Sequence, residues 1–289
     1  MKCLHHTDAD GKCAAYWVSD YYNDKNPEDF IMIDYGMDID WLSKIEENEK
    51  VFIVDFSLEP NDMRKLLQKT KDVTWIDHHI TAIQNYNDVE TEIPGLRYDG
   101  IAGCVLTYCY LYCMGCGKKE FDPETMPLKA PWATTYIGDH DVWKYEYGKD
   151  TAHFKLGLDA YSDKLNPTNS IWDNLNDNID FVSELIDDGY VIEQYRDAIG
   201  TRARDMYGFE YDFEGHTALC LNNVFGGSEW FTDAIHNYDL VCSFMLMNGT
   251  KWEYSLYSEK IDVSKIAKKY GGGGHPGASG FVLDKLIFK

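Results

Sequence analysis

The chain has 289 residues and a formal net charge of −22, from 27 Lys and Arg against 49 Asp and Glu, with 44% hydrophobic and 15% aromatic residues. Such length and apolar content support one large or two ordinary domains with real cores, which excludes a disordered or fibrous chain. The acidity argues against wrapping duplex nucleic acid or lying on an anionic membrane, since both partners require clustered Lys and Arg. The charge is also uneven: residues 1–250 balance to −25 and residues 251–289 to +3, so the tail is the basic stretch.

No run approaches the ~18 to 20 apolar residues of a membrane span, and MKCLHHTDADGK lacks the apolar run of a signal peptide, so a soluble cytoplasmic protein is expected. Eight cysteines fit reduced thiols in that compartment. Cys104, Cys109, Cys113 and Cys116 form a candidate zinc set. They share the apolar, Pro-free run GIAGCVLTYCYLYCMG, however, and a helix there places Cys109, Cys113 and Cys116 on one face as small buried hydrophobes, which is the preferred reading.

In chain order, Lys2–His6, Phe30–Asp34, Val51–Asp55 and Val73–Asp77 read as short strands rich in Val, Ile and Phe. Between them lie helical stretches at about Gly11–Asp24, Asp40–Asn48 and Pro60–Thr70. This alternation means βαβ units and a parallel sheet covered on both faces. From about residue 100 to 205 the pattern is mostly helical: Ala102–Gly115 and Lys129–Ile137 buried, Ser170–Asp188 and Tyr190–Tyr207 amphipathic. Strands return at Thr217–Leu221, Asp239–Met247 and Trp252–Tyr257, the last two flanking the hairpin signal Asn248-Gly249. A short helix, Val263–Tyr270, leads into GGGGHPGASGF and a last strand near Phe281–Leu283. The fold class expected is α/β: a doubly wound parallel-sheet domain over residues 1–180, a helical linker over 181–207 and a smaller mixed α/β domain over 208–289.

Three strand ends carry unusual polar residues. His6-Thr7-Asp8-Ala9-Asp10-Gly11 follows the first strand, and spacing by two in an extended turn points His6, Asp8 and Asp10 to one side. One Asp would serve as a helix N-cap; two Asp and a His exceed that need. Asp55 closes a buried strand at the carboxyl end, where open parallel sheets bind ligands. Asp77-His78-His79 closes the next, and an Asp followed by two His is costly to bury unpaired. A fourth candidate is Gly138-Asp139-His140-Asp141, in which either Asp can reach the others. Together these groups exceed what one ion needs and suit a pair of divalent ions about 3.5–4 Å apart, which generates hydroxide and clamps a phosphoryl group. In the tail, Gly271–Gly274 and His275 offer closely spaced backbone N–H groups for a phosphate, with a helix expected after Pro276 to point its positive end at the same anion.

In this order and combination, the His6–Gly11 motif, Asp55, Asp77-His78-His79, the Asp139 segment and GGGGHPGASGF resemble the DHH phosphoesterase superfamily, in the branch with the glycine-rich C-terminal domain. The resemblance implies a hydrolase, a Mn²⁺-dependent phosphodiesterase or nuclease with a larger parallel-sheet domain and a smaller substrate-binding one. It implies His6 and Asp8 on one metal, Asp10, His78 and Asp139 on the other, and Asp55 bridging. His79 would contact the scissile phosphate, Asp77 would orient the histidines, and Gly272, Gly273, Gly274 and His275 would hold the nucleotide that is not cleaved. Two departures stand out: His140 occupies the place of an expected Arg, which leaves the choice between Asp139 and Asp141 open, and the glycine run is one residue longer than usual.

The expected activity is hydrolysis of phosphodiester bonds in short oligonucleotides or in linear or cyclic dinucleotides, by hydroxide that two metal ions activate. The expected partners exclude duplex nucleic acid and membranes and leave homodimerisation open. The rivals are a monoester phosphatase acting on adenosine 3′,5′-bisphosphate and a nucleotide-binding sensor without turnover.

Overall fold

In the computed structural model, which describes residues 1–86, 92–113, 130–223 and 227–288, the first half of the chain is built on a four-stranded sheet. Its strands are β1 (Lys2–His5), β2 (Phe30–Met32), β3 (Val51–Val54) and β4 (Val73–Ile76), all parallel, in the order β2-β1-β3-β4. Successive side chains of a strand point to opposite faces, and the two faces have separate cores. Cys3, Phe52, Val54 and Ile76 pack with helix α1 (Ala9–Tyr22), whereas Leu4, Val51, Ile53 and Trp75 pack against Met63, Leu66 and Leu67 of helix α2 (Pro60–Lys69). The doubly wound α/β architecture is therefore present. The order places β1 and β3 side by side where the winding reverses, which is the position at which such sheets open a crevice at their carboxyl ends.

After β4 come α3 (Ile80–Gln84), α4 (Gly103–Tyr108), which runs on as a π-helical turn over Cys109–Cys113, α5 (Trp132–Asp141), α6 (Lys149–Asp159), α7 (Ile171–Asp177) and α8 (Ile179–Tyr207). Cys104 and Cys109 are wholly buried in the α1 core, and among the described residues no cysteine joins a group of metal-ligating side chains. Gly115, Cys116 and Lys129 lie outside the described residues.

Three expectations change. Asp40–Asn48 is not a helix but a short 3₁₀ turn, Leu42–Lys44. Trp41 and Ile45 reach the core without more, and the acidic Glu46-Glu47 pair would oppose a helix dipole at its C-terminal end. The α6 helix was not anticipated. The break expected near Gly189 falls instead at Asn178, whose side chain accepts from the Asp180 and Phe181 N–H groups at 3.1 and 3.3 Å and so caps α8. α8 then continues through Gly189 for 29 residues. No helix among the described residues is long and apolar enough to cross a membrane.

The chain forms two compact units, Met1–Tyr190 and Val191–Lys289. The second holds a six-stranded sheet of β5 (Phe209–Phe213), β6 (His216–Asn222), β7 (Leu240–Met247), β8 (Lys251–Tyr257), β9 (Gly273–His275) and β10 (Ala278–Leu283), in the order β5-β6-β7-β8-β10-β9. Only β6 and β7 pair in parallel, and helix α9 (Val263–Lys269) covers one face. Asn248 and Gly249 turn the β7–β8 hairpin with φ of 47° and 70°, as the sequence signal requires. β5 was not anticipated. Nor does a helix follow Pro276: Pro276 and Gly277 turn a hairpin that pairs His275 with Ala278 and runs straight into β10.

Gly189 carries a close approach. A methyl group there would lie 1.8 Å from the His153 carbonyl oxygen of α6. Helix propensity alone would make Gly189→Ala stabilising by about 1 kcal/mol. The contact reverses the sign, and we expect a loss of about 1–3 kcal/mol, read as a lower urea midpoint at unchanged slope. An unchanged or raised midpoint would contradict this packing.

Candidate metal centre

β1 ends in His5 and delivers His6, Asp8 and Asp10 in succession. Asp8 has two tasks: one oxygen caps α1 by accepting from the Gly11 N–H at 2.9 Å, and the other lies 2.6 Å from His6 Nδ1. Asp10, buried in the first turn of α1, accepts from the Gly103 and Cys104 N–H groups of α4 at 2.7 and 2.8 Å. These two bonds fix the carboxylate and leave lone pairs on each oxygen.

On the neighbouring strand, Asp55 follows β3 with φ of +53°, a conformation that is uncommon outside glycine and that clusters at functional sites. Only 1% of Asp55 is exposed, and neither carboxylate oxygen has a hydrogen-bond partner. Oδ1 lies 3.1 Å from His78 Nε2, and Oδ2 lies 3.8 Å from His6 Nδ1. Asp55 therefore stands between two sets of ligands, with one oxygen toward each. Gly103 makes the approach possible, because a methyl group at that position would fall 2.5 Å from the Asp55 Cβ.

β4 ends in Asp77, His78 and His79. Asp77 is fully buried and accepts from the Ser57 hydroxyl, from the His78 N–H at 2.8 Å and from His79 Nδ1 at 2.7 Å. His79 is thereby fixed with Nε2 left over. His78 Nε2 faces three carboxylates: Asp55 at 3.1 Å, Asp141 at 3.3 Å and Asp10 at 3.8 Å.

The two carboxylates of the Asp139–Asp141 segment part company. Asp141, the last residue of α5, joins Asp10 and His78. Asp139, expected as the ligand, points elsewhere. It accepts from the Glu146 N–H at 2.9 Å, the Tyr147 N–H at 3.4 Å and the Thr151 hydroxyl, and so anchors the loop between α5 and α6. Positions 139 and 141 are two residues apart on a helix, about 200° around its axis, so only one can face the sheet. Asp34 was not anticipated. It lies 3.3 Å from His6 Nε2 and accepts from the Thr7 hydroxyl at 3.2 Å. Its signal was available, since it closes the Phe30–Asp34 segment just as Asp55 and Asp77 close theirs.

The donor set fits a pair of divalent cations. His6, Asp8 and Asp55 form one group, Asp10, His78 and Asp141 a second, and the ligand atoms within each lie within 4.8 Å of one another. Burial first, then Asp10 and Asp8, push the Asp55 carboxyl well above its usual range. The same three causes raise Asp141 to about 8. The hydrogen bond that His6 Nδ1–H donates to the Asp8 carboxylate raises His6 to about 9. Carboxyl groups gathered this closely, one of them buried without a hydrogen bond, are what a cation of charge +2 satisfies.

In the second unit, Gly273–His275 forms the edge strand β9. The Gly271 and Gly272 N–H groups are already used, bonding the Lys268 and Ala267 carbonyls that end α9. Gly273, Gly274 and His275 thus remain as the edge of the sheet, with His275 exposed.

The two aspartates of α5 respond oppositely to substitution. Asp139→Ala strips three donors of their acceptor, and a stability loss of about 2–4 kcal/mol is expected. Asp141 behaves differently in protein stripped of metal with EDTA. Its folded pKa of about 8 exceeds the unfolded value, so the stability it contributes is full below about pH 4 and is lost as pH rises through about 8. Asp141→Asn removes that loss. The stripped variant should have a higher urea midpoint than stripped wild type at pH 8 to 9, and a lower one would contradict the placement.

No protein-family model matches the chain. Oligoribonuclease NrnB of Bacillus subtilis is 26% identical over 272 residues, covering 86% of this chain and 64% of that protein, so the chain spans under two thirds of its relative. The fold is similar to that of a pGpG-specific phosphodiesterase, PggH, from Vibrio cholerae, with a TM-score of 0.52 at 11% identity over 98% of this chain and 92% of that one. With its motifs in order along the sequence and gathered at the carboxyl ends of one parallel sheet, the chain is similar to the DHH phosphoesterase superfamily.

Proposed function

We propose that the chain is a metal-dependent phosphodiesterase that cleaves short oligonucleotides or dinucleotides at the cluster around Asp55. The observation that carries this reading is Asp55 itself: buried, without a hydrogen bond on either oxygen, and facing one ligand group with each. In this reading His6 and Asp8 would hold one cation and Asp10, His78 and Asp141 the other, with Asp55 presenting one oxygen toward each group. A bound pair of divalent ions, with Mn²⁺ as the first choice, supplies hydroxide near neutral pH and offsets charge on a phosphoryl group. The mixture of imidazole and carboxylate ligands suits such an ion.

The remaining residues serve position and charge. Asp77 holds His79 by Nδ1 and favours its protonated form, which leaves Nε2 as a donor for a phosphate oxygen. The α4 N–H groups keep Asp10 aimed at the cluster. In the second unit, the edge strand Gly273–His275 is proposed by itself as a phosphate-holding element. That the relative is an oligoribonuclease supports short RNA as the substrate class. The net charge of −22 supports short chains over long or duplex ones, which would meet the acidic surface.

The test is a panel of linear and cyclic dinucleotides, short RNA, short DNA and adenosine 3′,5′-bisphosphate, each with Mn²⁺ and with EDTA. Mononucleotides should appear from linear dinucleotides or short RNA with Mn²⁺ only, and Asp55→Asn should lower the rate by at least about 100-fold, the loss expected when one main source of charge stabilisation is removed. Full activity of that variant would sink the reading, and inorganic phosphate released from the bisphosphate alone would replace it with a monoesterase.

Binding should also depend on pH in a fixed direction. His6, with a pKa of about 9, and Asp141, at about 8, hold protons that a cation must displace. Mn²⁺ affinity measured by calorimetry should therefore rise from pH 6 to pH 9, with protons released on binding. An affinity that stays flat across that range would contradict the assignment.

A further inference from the structure

The register of the parallel sheet sets Asp34 beside His6. β1 and β2 pair with Leu4 next to Ile31 and His5 next to Met32, and the Ile33 N–H continues the ladder by donating to the His5 carbonyl at 2.9 Å. The two segments leave the sheet side by side, one into His6-Thr7-Asp8 and the other into Asp34-Tyr35. Asp34 is held there from two directions: the Tyr35 N–H donates to Oδ1 at 2.7 Å, and the Thr7 hydroxyl donates to Oδ2 at 3.2 Å. Its remaining contact is His6 Nε2, 3.3 Å from Oδ1.

The His6 ring therefore meets a different kind of carboxylate at each nitrogen. Nδ1 lies 2.6 Å from Asp8 and 3.8 Å from Asp55, the two carboxylates with which His6 forms a ligand group. Nε2 faces Asp34, which belongs to no group of metal-ligating side chains among the described residues. A metal ion takes the lone pair of a neutral imidazole, and a neutral imidazole keeps one N–H. Nδ1 can be the ligand atom only if that proton sits on Nε2, where Asp34 Oδ1 is the acceptor within reach. The rings of Tyr35, Phe56 and His79 frame the imidazole, with centroids 6.4, 6.3 and 6.1 Å away.

We propose that Asp34 is a positioning residue for the metal centre: by accepting the Nε2–H of His6, it fixes the tautomer whose Nδ1 lone pair is turned toward Asp8 and Asp55. The inference rests on the two-cation reading of the cluster and adds to it a residue outside both ligand groups. A carboxylate behind a ligating imidazole holds the ring's orientation and makes the ligating nitrogen more basic. Asp77 treats His79 in a comparable way, accepting from Nδ1 at 2.7 Å and leaving Nε2 to face outward. Each of these two carboxylates comes from the end of a strand segment and orients an imidazole delivered beside it. Asp34 itself is poorly placed to be a ligand, since both of its oxygens already accept hydrogen bonds from the Tyr35 N–H and the Thr7 hydroxyl.

Two measurements on the full chain test this. In the first, Mn²⁺ is titrated by calorimetry into wild type, Asp34→Ala and Asp34→Asn. Asp34→Ala should weaken one of the two sites about 10- to 100-fold, and Asp34→Asn, whose amide oxygen still accepts, should stay within about threefold of wild type. The Asp34 side chain is 39% exposed, so both variants are expected to fold as wild type does. The second measurement needs no variant: with histidine labelled by ¹⁵N and diamagnetic Zn²⁺ bound, proton–nitrogen correlations of the His6 ring should show the proton on Nε2 and none on Nδ1. A proton on Nδ1, a cation bound at Nε2, or unchanged Mn²⁺ affinity in Asp34→Ala would overturn the proposal. Cleavage of a linear dinucleotide with Mn²⁺, measured alongside, separates the two claims. The Nε2–H tautomer and a weakened site without any cleavage would leave the positioning role and remove the phosphodiesterase, and cleavage with an unchanged site in Asp34→Ala would do the reverse.

Discussion

Asp8, Asp10, Asp55 and Asp141 bring four carboxyl groups together at the carboxyl ends of β1 and β3, and within the two ligand groups only His6 and His78 answer them. Removing charged groups from water costs several kcal/mol each unless they are paired, and like charges add repulsion. Asp55 shows the conflict most sharply, because it is buried and neither of its oxygens makes a hydrogen bond. A fold can carry such a cluster only if the rest of the domain is stable enough to absorb it. The two apolar cores on either face of the parallel sheet supply that stability. What the site then offers is a preorganised cluster of carboxyl groups for which a divalent cation is the natural counter-charge.

Much of the surrounding structure reads as support for this arrangement. The first turn of α4 holds both oxygens of Asp10, and Gly103 in the same turn lets the backbone approach Asp55. Asp77 spends its lone pairs on Ser57 and His79, so it positions neighbours and is poorly placed to be a ligand. Asp139 holds the α5–α6 loop. Each of these residues is a carboxylate or glycine that looks chemically interchangeable with its neighbours in sequence, yet each meets different partners.

That difference marks the limit of what the sequence makes legible. The strand ends at His6, Asp55 and Asp77 stand out because short apolar runs stop at polar residues with metal-ligating chemistry, and the alternation of strand and helix fixes their common edge. Choosing Asp141 over Asp139 requires the rotation of α5 about its axis, which a pattern without a clear apolar stripe does not set. Asp34 closes its segment as Asp55 and Asp77 close theirs, but no second metal-ligating residue immediately follows it in the sequence to make it stand out. In the second unit, Pro276-Gly277 fits either a helix start or a tight turn, and pairing with β10 decides for the turn. The Asp40–Asn48 segment has helical composition but buries Trp41 and Ile45 without forming a helix.

The acidity of the chain takes on a particular meaning in this light. Part of it is concentrated in the cluster around Asp55, and the rest gives a surface unsuited to long polyanions. The central claim is that Asp55 stands between two cations, and anomalous diffraction at the manganese edge from crystals soaked in Mn²⁺ tests it most directly. Two peaks about 3.5–4 Å apart are expected, both in contact with Asp55, with Asp141 on one of them and Asp139 on neither. A single peak, or a peak coordinated by Asp139, would contradict it.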